Sequence, residues 1–148
     1  MRALVQRVSE GSVAIEGTRY AHIEKGFVIL LGIRKGDTTE SALSLADKCA
    51  ALRVFEDGEG KMNLGLMDVH GTVLIVSQFT LYADTQRGNR PGFADAARTE
   101  EAEPLYEQFV ARMRAALGSD KVFTGVFRAM MQVTIVNDGP VTILLERA

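Results

Sequence analysis

Ser77-Gln78-Phe79-Thr80 places two hydroxyls and an amide within four residues, directly after the apolar run Val73-Leu74-Ile75-Val76. Such a cluster at the end of a buried strand either emerges into solvent or floors a polar pocket. In the second case hydroxyls and backbone N–H groups would face a ligand. A strand period of two puts Gln78 and Thr80 on one face, and Ser77 and Phe79 on the other. A second segment, Asn137-Asp138-Gly139-Pro140-Val141-Thr142, reads first as a tight hairpin turn, because Asp-Gly is a strong hairpin signal. Yet Pro140 at the mouth of a strand removes a donor from the ladder. A Gly-Pro bond also admits a cis peptide, which would turn two successive carbonyls the same way and leave a rigid acceptor pair free of side chains.

Other chemistry finds little support. His22 and His70 have no Cys, Asp or Glu at ligand spacing, so neither a zinc site nor any other metal or cofactor is expected. No G-x-S-x-G elbow, Walker loop or G-x-G-x-x-G run is present. The turn at residues 56–61 lacks EF-hand spacing and reads as solvated. Cys49 is the only cysteine; it cannot form an internal disulfide and reads as a small apolar residue buried on a helix.

The elements that must hold the two segments follow from periodicity. Alternation at residues 3–8, Gly11, and then Val13 and Ile15 predict a strand, a turn and a second strand. A further strand is expected at residues 20–23. Residues 27–33 form a continuous apolar run short enough for a fully buried strand. Asp37-Thr38-Thr39-Glu40 has the form of a capping box and predicts a helix over 39–53. The strongest strand is 73–81, and residues 83–93 read as a loop. A second helix is expected over 103–117, with Pro104 in its first turn and Gly118 as its stop. Strands at 131–136 and 141–145 close the chain around the turn at 137–140. About seven strands and two helices in mixed order point to α+β: a curved mixed β-sheet or small β-barrel covered by two helices.

The chain has 148 residues, enough for one domain over 1–148. Hydrophobic residues make up 47% and charged residues 24%, which excludes a disordered chain. With 17 basic and 19 acidic side chains the net charge is -2. A bulk-charge nucleic-acid binder runs basic, so any RNA role must rest on particular residues. No apolar run reaches the roughly 20 residues of a membrane span, and no signal peptide is visible. Cytoplasm and no membrane partner are the expectation.

Taken together, residues 77–81 and 137–142 resemble the two signature motifs of the D-aminoacyl-tRNA deacylases, also called D-tyrosyl-tRNA deacylases. Gln6-Arg7-Val8, Gly60-Lys61-Met62-Asn63-Leu64, Asp84-Thr85, Arg87-Gly88 and Arg90-Pro91 are similar to the family as well, so the resemblance runs end to end. It implies an esterase that frees tRNA of D-amino acids, with D-aminoacyl-tRNA as its partner. It implies a homodimer with two active sites at the interface. It also implies a cis Gly139-Pro140 element inserted by each subunit into the other's pocket, with Arg7 bracing it.

On that reading, rigid carbonyls hold the substrate α-amino group and occupy the volume an L-side chain needs, so L-esters are rejected by exclusion. Glycine has nothing to exclude, so glycyl-tRNA mischarged on tRNA-Ala is an expected substrate. The catalytic segment is Ser77, Gln78, Phe79 and Thr80. Thr80 as nucleophile would need an activating base, and none is identified. Backbone N–H groups around Phe79 and Thr80 forming an oxyanion hole, with water helped by the terminal 2′-hydroxyl, ask less of the protein. Asn137 and Met131 are supporting residues, Phe93 a stacking or wall residue, and Arg53, Lys61, Arg87 and Arg90 the expected tRNA contacts. The alternatives are a non-enzymatic RNA-binding domain and a general small-molecule esterase.

Overall fold

The continuous apolar run after Gly26 becomes the middle of the molecule. The computed structural model describes residues 1–86 and 88–148. In chain order its elements are β1 (Arg2–Ile15), β2 (Thr18–Ile23), β3 (Gly26–Gly32), α1 (Thr39–Ala50), β4 (Arg53–Glu56), β5 (Met62–Gly65), β6 (Thr72–Ser77), a 3-10 turn (Phe79–Tyr82), α2 (Thr99–Leu117), β7 (Val122–Thr124) and β8 (Gln132–Glu146). β3 lies antiparallel to β1 and parallel to β6, which in turn runs parallel to β7. β1 continues past β3 to pair β2, and β8 pairs β1 along its other side. β4 and β5 form a separate small hairpin.

Period-two alternation in β3 and β6 feeds two cores. Phe27, Ile29, Leu31, Val73 and Ile75 pack with Leu45 and Cys49 of α1 and Phe109 and Met113 of α2. On the opposite face Val28, Leu74 and Val76 meet Val8, Val13 and Ile23, with Met131, Val133 and Ile135 partly buried against them. The sheet therefore curls over its second face while the helices cover the first, a single α+β domain as the element order predicts. Each fully buried side chain of this kind contributes roughly 1.5–3 kcal/mol relative to exposure. Among the described residues no helix is long and apolar enough to cross a membrane.

Several expectations are corrected. The first strand does not turn at Gly11; β1 runs unbroken, and Gly11 answers a packing demand, because a Cβ there would lie 2.6 Å from Val28 Cγ2. The capping box is Thr38 with Ser41: Thr38 Oγ1 accepts from the Ser41 amide at 3.2 Å, and Ser41 Oγ from the Thr38 amide at 2.8 Å. Asp37 is occupied elsewhere, accepting from the Arg34 amide and the Met1 amine, each at 2.7 Å. α1 ends at Ala50, and Arg53 opens β4 instead of closing the helix. α2 starts at Thr99, a turn before the expected 103, so Pro104 lies inside it. Proline there leaves the Glu100 carbonyl without its helical donor, and both residues are exposed, so water can serve that carbonyl.

Two corrections bear on function. The strand expected over 73–81 ends at Ser77, and the chain then tightens into the 3-10 turn, with Leu81 N–H donating to the Gln78 carbonyl at 3.3 Å. And residues 131–145 are not two strands around a hairpin. β8 keeps one direction along β1 for its whole length.

Candidate active site

β6 carries its apolar side chains into both cores and ends at Ser77, beside Leu31 of β3. Tyr106 of α2 fixes this strand from beneath, its hydroxyl donating to the Ile75 carbonyl at 2.9 Å. Burial pushes that phenol well above its ordinary pKa, and Arg114 only partly opposes it, so Tyr106 stays a neutral donor. Just past β6, the Gln78 amide donates to the Leu31 carbonyl at 2.8 Å, tying the turn to β3. The amides of Phe79 and Thr80 head the 3-10 turn and have no acceptor among the described residues.

A cavity of about 840 Å³ opens beside this turn, in the upper part of the roughly 300–1,000 Å³ range of small-molecule sites. Leu31, Ile33 and Val76 are buried and form its floor, and Ser77, Gln78 and Met131 its wall. Phe79 is exposed at the rim, its ring edge-on to Phe93 with centroids 4.9 Å apart. Thr80 does not line the cavity; its exposed hydroxyl accepts from the Gln78 side-chain amide. The shared face expected for Gln78 and Thr80 is thus replaced by a local bond across the turn.

The second segment does something different. Gln6 pairs with Thr142 and Val8 with Asn137, so residues 138–141 stand opposite Arg7 alone and leave the ladder as an excursion. Asp138, Gly139 and Pro140 are exposed, and the Gly139–Pro140 bond is cis. Asn137 closes the neck: its Oδ1 accepts from the Val141 amide and its Nδ2 donates to Thr142 Oγ1, both at 2.9 Å. Arg7 braces the base, donating from Nε to the Asp138 carbonyl at 2.9 Å and from Nη1 to the Val54 carbonyl at 2.6 Å. No residue of 137–142 lines the cavity of the same chain.

Residues 4–146 match the family model of the D-Tyr-tRNA(Tyr) deacylases. The chain belongs to that family. It is 55% identical over 146 residues to the D-aminoacyl-tRNA deacylase of Koribacter versatilis, covering 99% of this chain and 97% of that one. It is 52% identical over 147 residues to the same-named protein of Exiguobacterium sibiricum, covering 99% and 100%. Among solved structures it resembles the c-Myc DNA Unwinding Element Binding Protein, with 42% identity, coverage of 100% and 99%, and a TM-score of 0.95. A probable eukaryotic D-amino acid tRNA deacylase shares the fold at 17% identity, with 97% of each chain covered and a TM-score of 0.83. Membership in the deacylase family makes the chain a hydrolase of the ester between amino acid and tRNA.

For a deacylase of this family the expected basic contacts are scattered. Arg53 and Lys61 sit on the β4–β5 hairpin, away from the cavity lining; Arg53 donates to the Asn63 carbonyl and side chain, and Lys61 pairs with Glu59 at 2.9 Å. The Asp57 carboxylate organises that hairpin turn, held below its usual pKa by the backbone amides of Lys61 and then Glu59. Arg90 lies in the loop closed by paired Asp84 and Gly92, and Arg87 lies outside the described residues. The cavity instead carries Arg98 and Arg128. Neither stands in a motif; only the packing of the start of α2 near residues 127–131 brings them together. Among the described residues no three His, Cys, Asp or Glu side chains gather as metal ligands would.

Proposed function

We propose that this chain hydrolyses the ester joining a D-amino acid to the 3′ end of tRNA, as a cytoplasmic homodimer in which residues 139–140 of each subunit enter the other's cavity. The observation that carries this reading is the excursion of β8: exposed backbone, braced by Arg7 and closed by Asn137, that takes no part in its own chain's cavity. A backbone element fixed at two points and turned outward suits insertion into a neighbour. There it reads handedness at the α-carbon, with its carbonyls on the α-amino group and its bulk where an L-side chain would go. Glycine presents no side chain to exclude, so glycyl-tRNA, including glycine mischarged on tRNA-Ala, is a substrate as well.

In the reaction a water oxygen attacks the ester carbonyl carbon. The amides of Phe79 and Thr80 receive the charge developing on the carbonyl oxygen. Collapse of the intermediate breaks the bond to the terminal ribose 3′-oxygen, which takes a proton derived from the water, relayed by the neighbouring 2′-hydroxyl. The products are the free D-amino acid and tRNA. Thr80 supplies its amide, not its hydroxyl, in keeping with a side chain that lies outside the cavity lining.

Paired deacylation of D-tyrosyl-tRNA and L-tyrosyl-tRNA tests the proposal. Cleavage of the D-ester alone is the expected result. Equal cleavage of both removes the selective role given to Gly139 and Pro140. Cleavage of neither by a folded dimer, with tRNA still bound, favours a nucleic-acid-binding protein, a reading to which the name of the 42% identical structural relative lends some weight.

A further inference from the structure

Two arginines on the cavity rim occupy positions that local backbone physics would give to other residues. Arg98 is the N-cap of α2, with no side-chain cap bond. Ser, Thr, Asp and Asn are preferred there because their oxygens accept from the helix's first amides, and a guanidinium has no acceptor. Arg128 has φ 64, inside the left-handed region, where a non-glycine residue costs roughly 1–2 kcal/mol. Gly17, Gly36 and Gly60 fill comparable positions elsewhere in this chain; Glu16 and His70 are the other non-glycine exceptions among the described residues. Both arginines line the same cavity, both are exposed, and neither forms an ion pair with a described residue. Positions that break a local rule without a local gain are where function is to be sought.

The cavity supplies the reason. Its floor is apolar and its wall carries Ser77 and Gln78, so charge collects only at the rim, where Arg98 and Arg128 outnumber the single acidic lining residue, Glu100. A ligand whose neutral end fills the cavity and whose anionic end leaves by the rim fits that distribution. We propose that Arg98 and Arg128 hold the phosphodiester that precedes the terminal nucleoside of the bound RNA, setting the aminoacyl ester against the Phe79 and Thr80 amides. The assignment rests on the deacylase reading and adds to it the part of the substrate that these two side chains recognise. Planar guanidinium donors suit a phosphate geometrically and need no base sequence.

The test uses two substitutions that separate binding from folding, because each improves the backbone. Arg128→Gly suits φ 64, and Arg98→Ser installs a helix cap. Both variants should melt at or above the wild-type temperature. Each is assayed with D-tyrosyl-tRNA and with D-tyrosyl-adenosine, which has the same ester and nucleoside but no phosphate. The wild-type preference in kcat/KM for the phosphate-bearing substrate should fall about tenfold per variant, through KM and not kcat. The dependence of log KM on log salt should flatten by about 0.7 per lost contact. Equal loss on both substrates, or no loss on either, overturns the assignment. The same proteins are titrated with the trinucleotide CCA, which carries phosphodiesters but no amino acid, and with adenosine. Should wild type cleave neither ester, the deacylase reading falls, and the trinucleotide titration still decides the phosphate contact: selective weakening in the variants upholds it, and unchanged binding, or no binding to wild type, rejects it.

Discussion

Arg7 Nε donates to the Asp138 carbonyl oxygen at 2.9 Å while Nη1 of the same guanidinium donates to the Val54 carbonyl oxygen at 2.6 Å. One planar fork thus ties the β8 excursion to the β4–β5 hairpin, from a residue only 6% exposed. Lysine cannot span two such acceptors in fixed geometry. Arg7→Met leaves two carbonyls without donors, which should cost about 2–4 kcal/mol in urea unfolding. Arg7→Lys should recover part of that stability and little of the D-over-L preference in deacylation. Full recovery of both by lysine would mean that the charge, not the fork, is what the excursion needs.

Gly139 leaves room for the same guanidinium. Its φ is +132, and a Cβ there would lie 3.0 Å from Arg7 Nη2 and 2.8 Å from Val141 Cγ2. Gly139→Ala should therefore shift the brace as well as the backbone, costing about 1–3 kcal/mol. Because a side chain at 139 would meet the Arg7 guanidinium, the double variant Arg7→Met with Gly139→Ala should be less destabilised than the sum of the singles, by about 0.5–3 kcal/mol. Strict additivity in a double-mutant cycle would show that Arg7 does not bear on the excursion at Gly139.

Thr80→Ala distinguishes the two ways of using this segment. The hydroxyl is exposed and bonded to the Gln78 side chain, while the backbone amide has no acceptor among the described residues. Losing the hydroxyl removes a bond worth about 1 kcal/mol, so single-turnover deacylation should slow by less than about tenfold. Removing a true nucleophile costs several orders of magnitude. A Thr80→Ala protein that folds but shows no cleavage would restore the hydroxyl to the mechanism.

The parts of this fold legible in sequence are those set by local periodicity. The apolar run of β3, the apolar start of β6 and the stop at Gly118 all follow from residue pattern. What misled was glycine and proline whose reason lies elsewhere in the chain. Gly11 looks like a turn but makes room for Val28. Asp138-Gly139-Pro140 looks like a reversal, yet pairing to β1 keeps β8 in one direction and turns the same residues into an excursion. Local propensity is real in both cases, and long-range pairing overrides it. Likewise Ser77 and Gln78 are visible as a polar end to an apolar strand, whereas Arg98 and Arg128 meet only through packing.

Cys49 offers a clean report on the core, being the chain's only thiol. It is wholly buried on α1, and burial pushes its pKa up to about 12, with Arg147 only partly opposing the rise. A thiol that stays protonated is a poor nucleophile. Native protein at pH 8 should resist a thiol reagent for as long as it stays folded, and labelling in dilute urea should track global unfolding. The same shift has a pH consequence. The unfolded chain releases this proton near the ordinary thiol value while the folded chain keeps it, so stability should fall as pH rises from about 9 towards 12. Urea midpoints for wild type and Cys49→Ala, compared across that range, isolate the thiol from the tyrosines that titrate alongside it. The gap between the two proteins should change with pH above 9 and stay constant below it; a gap constant throughout would mean that the thiol ionises as readily in the folded chain as in the unfolded one.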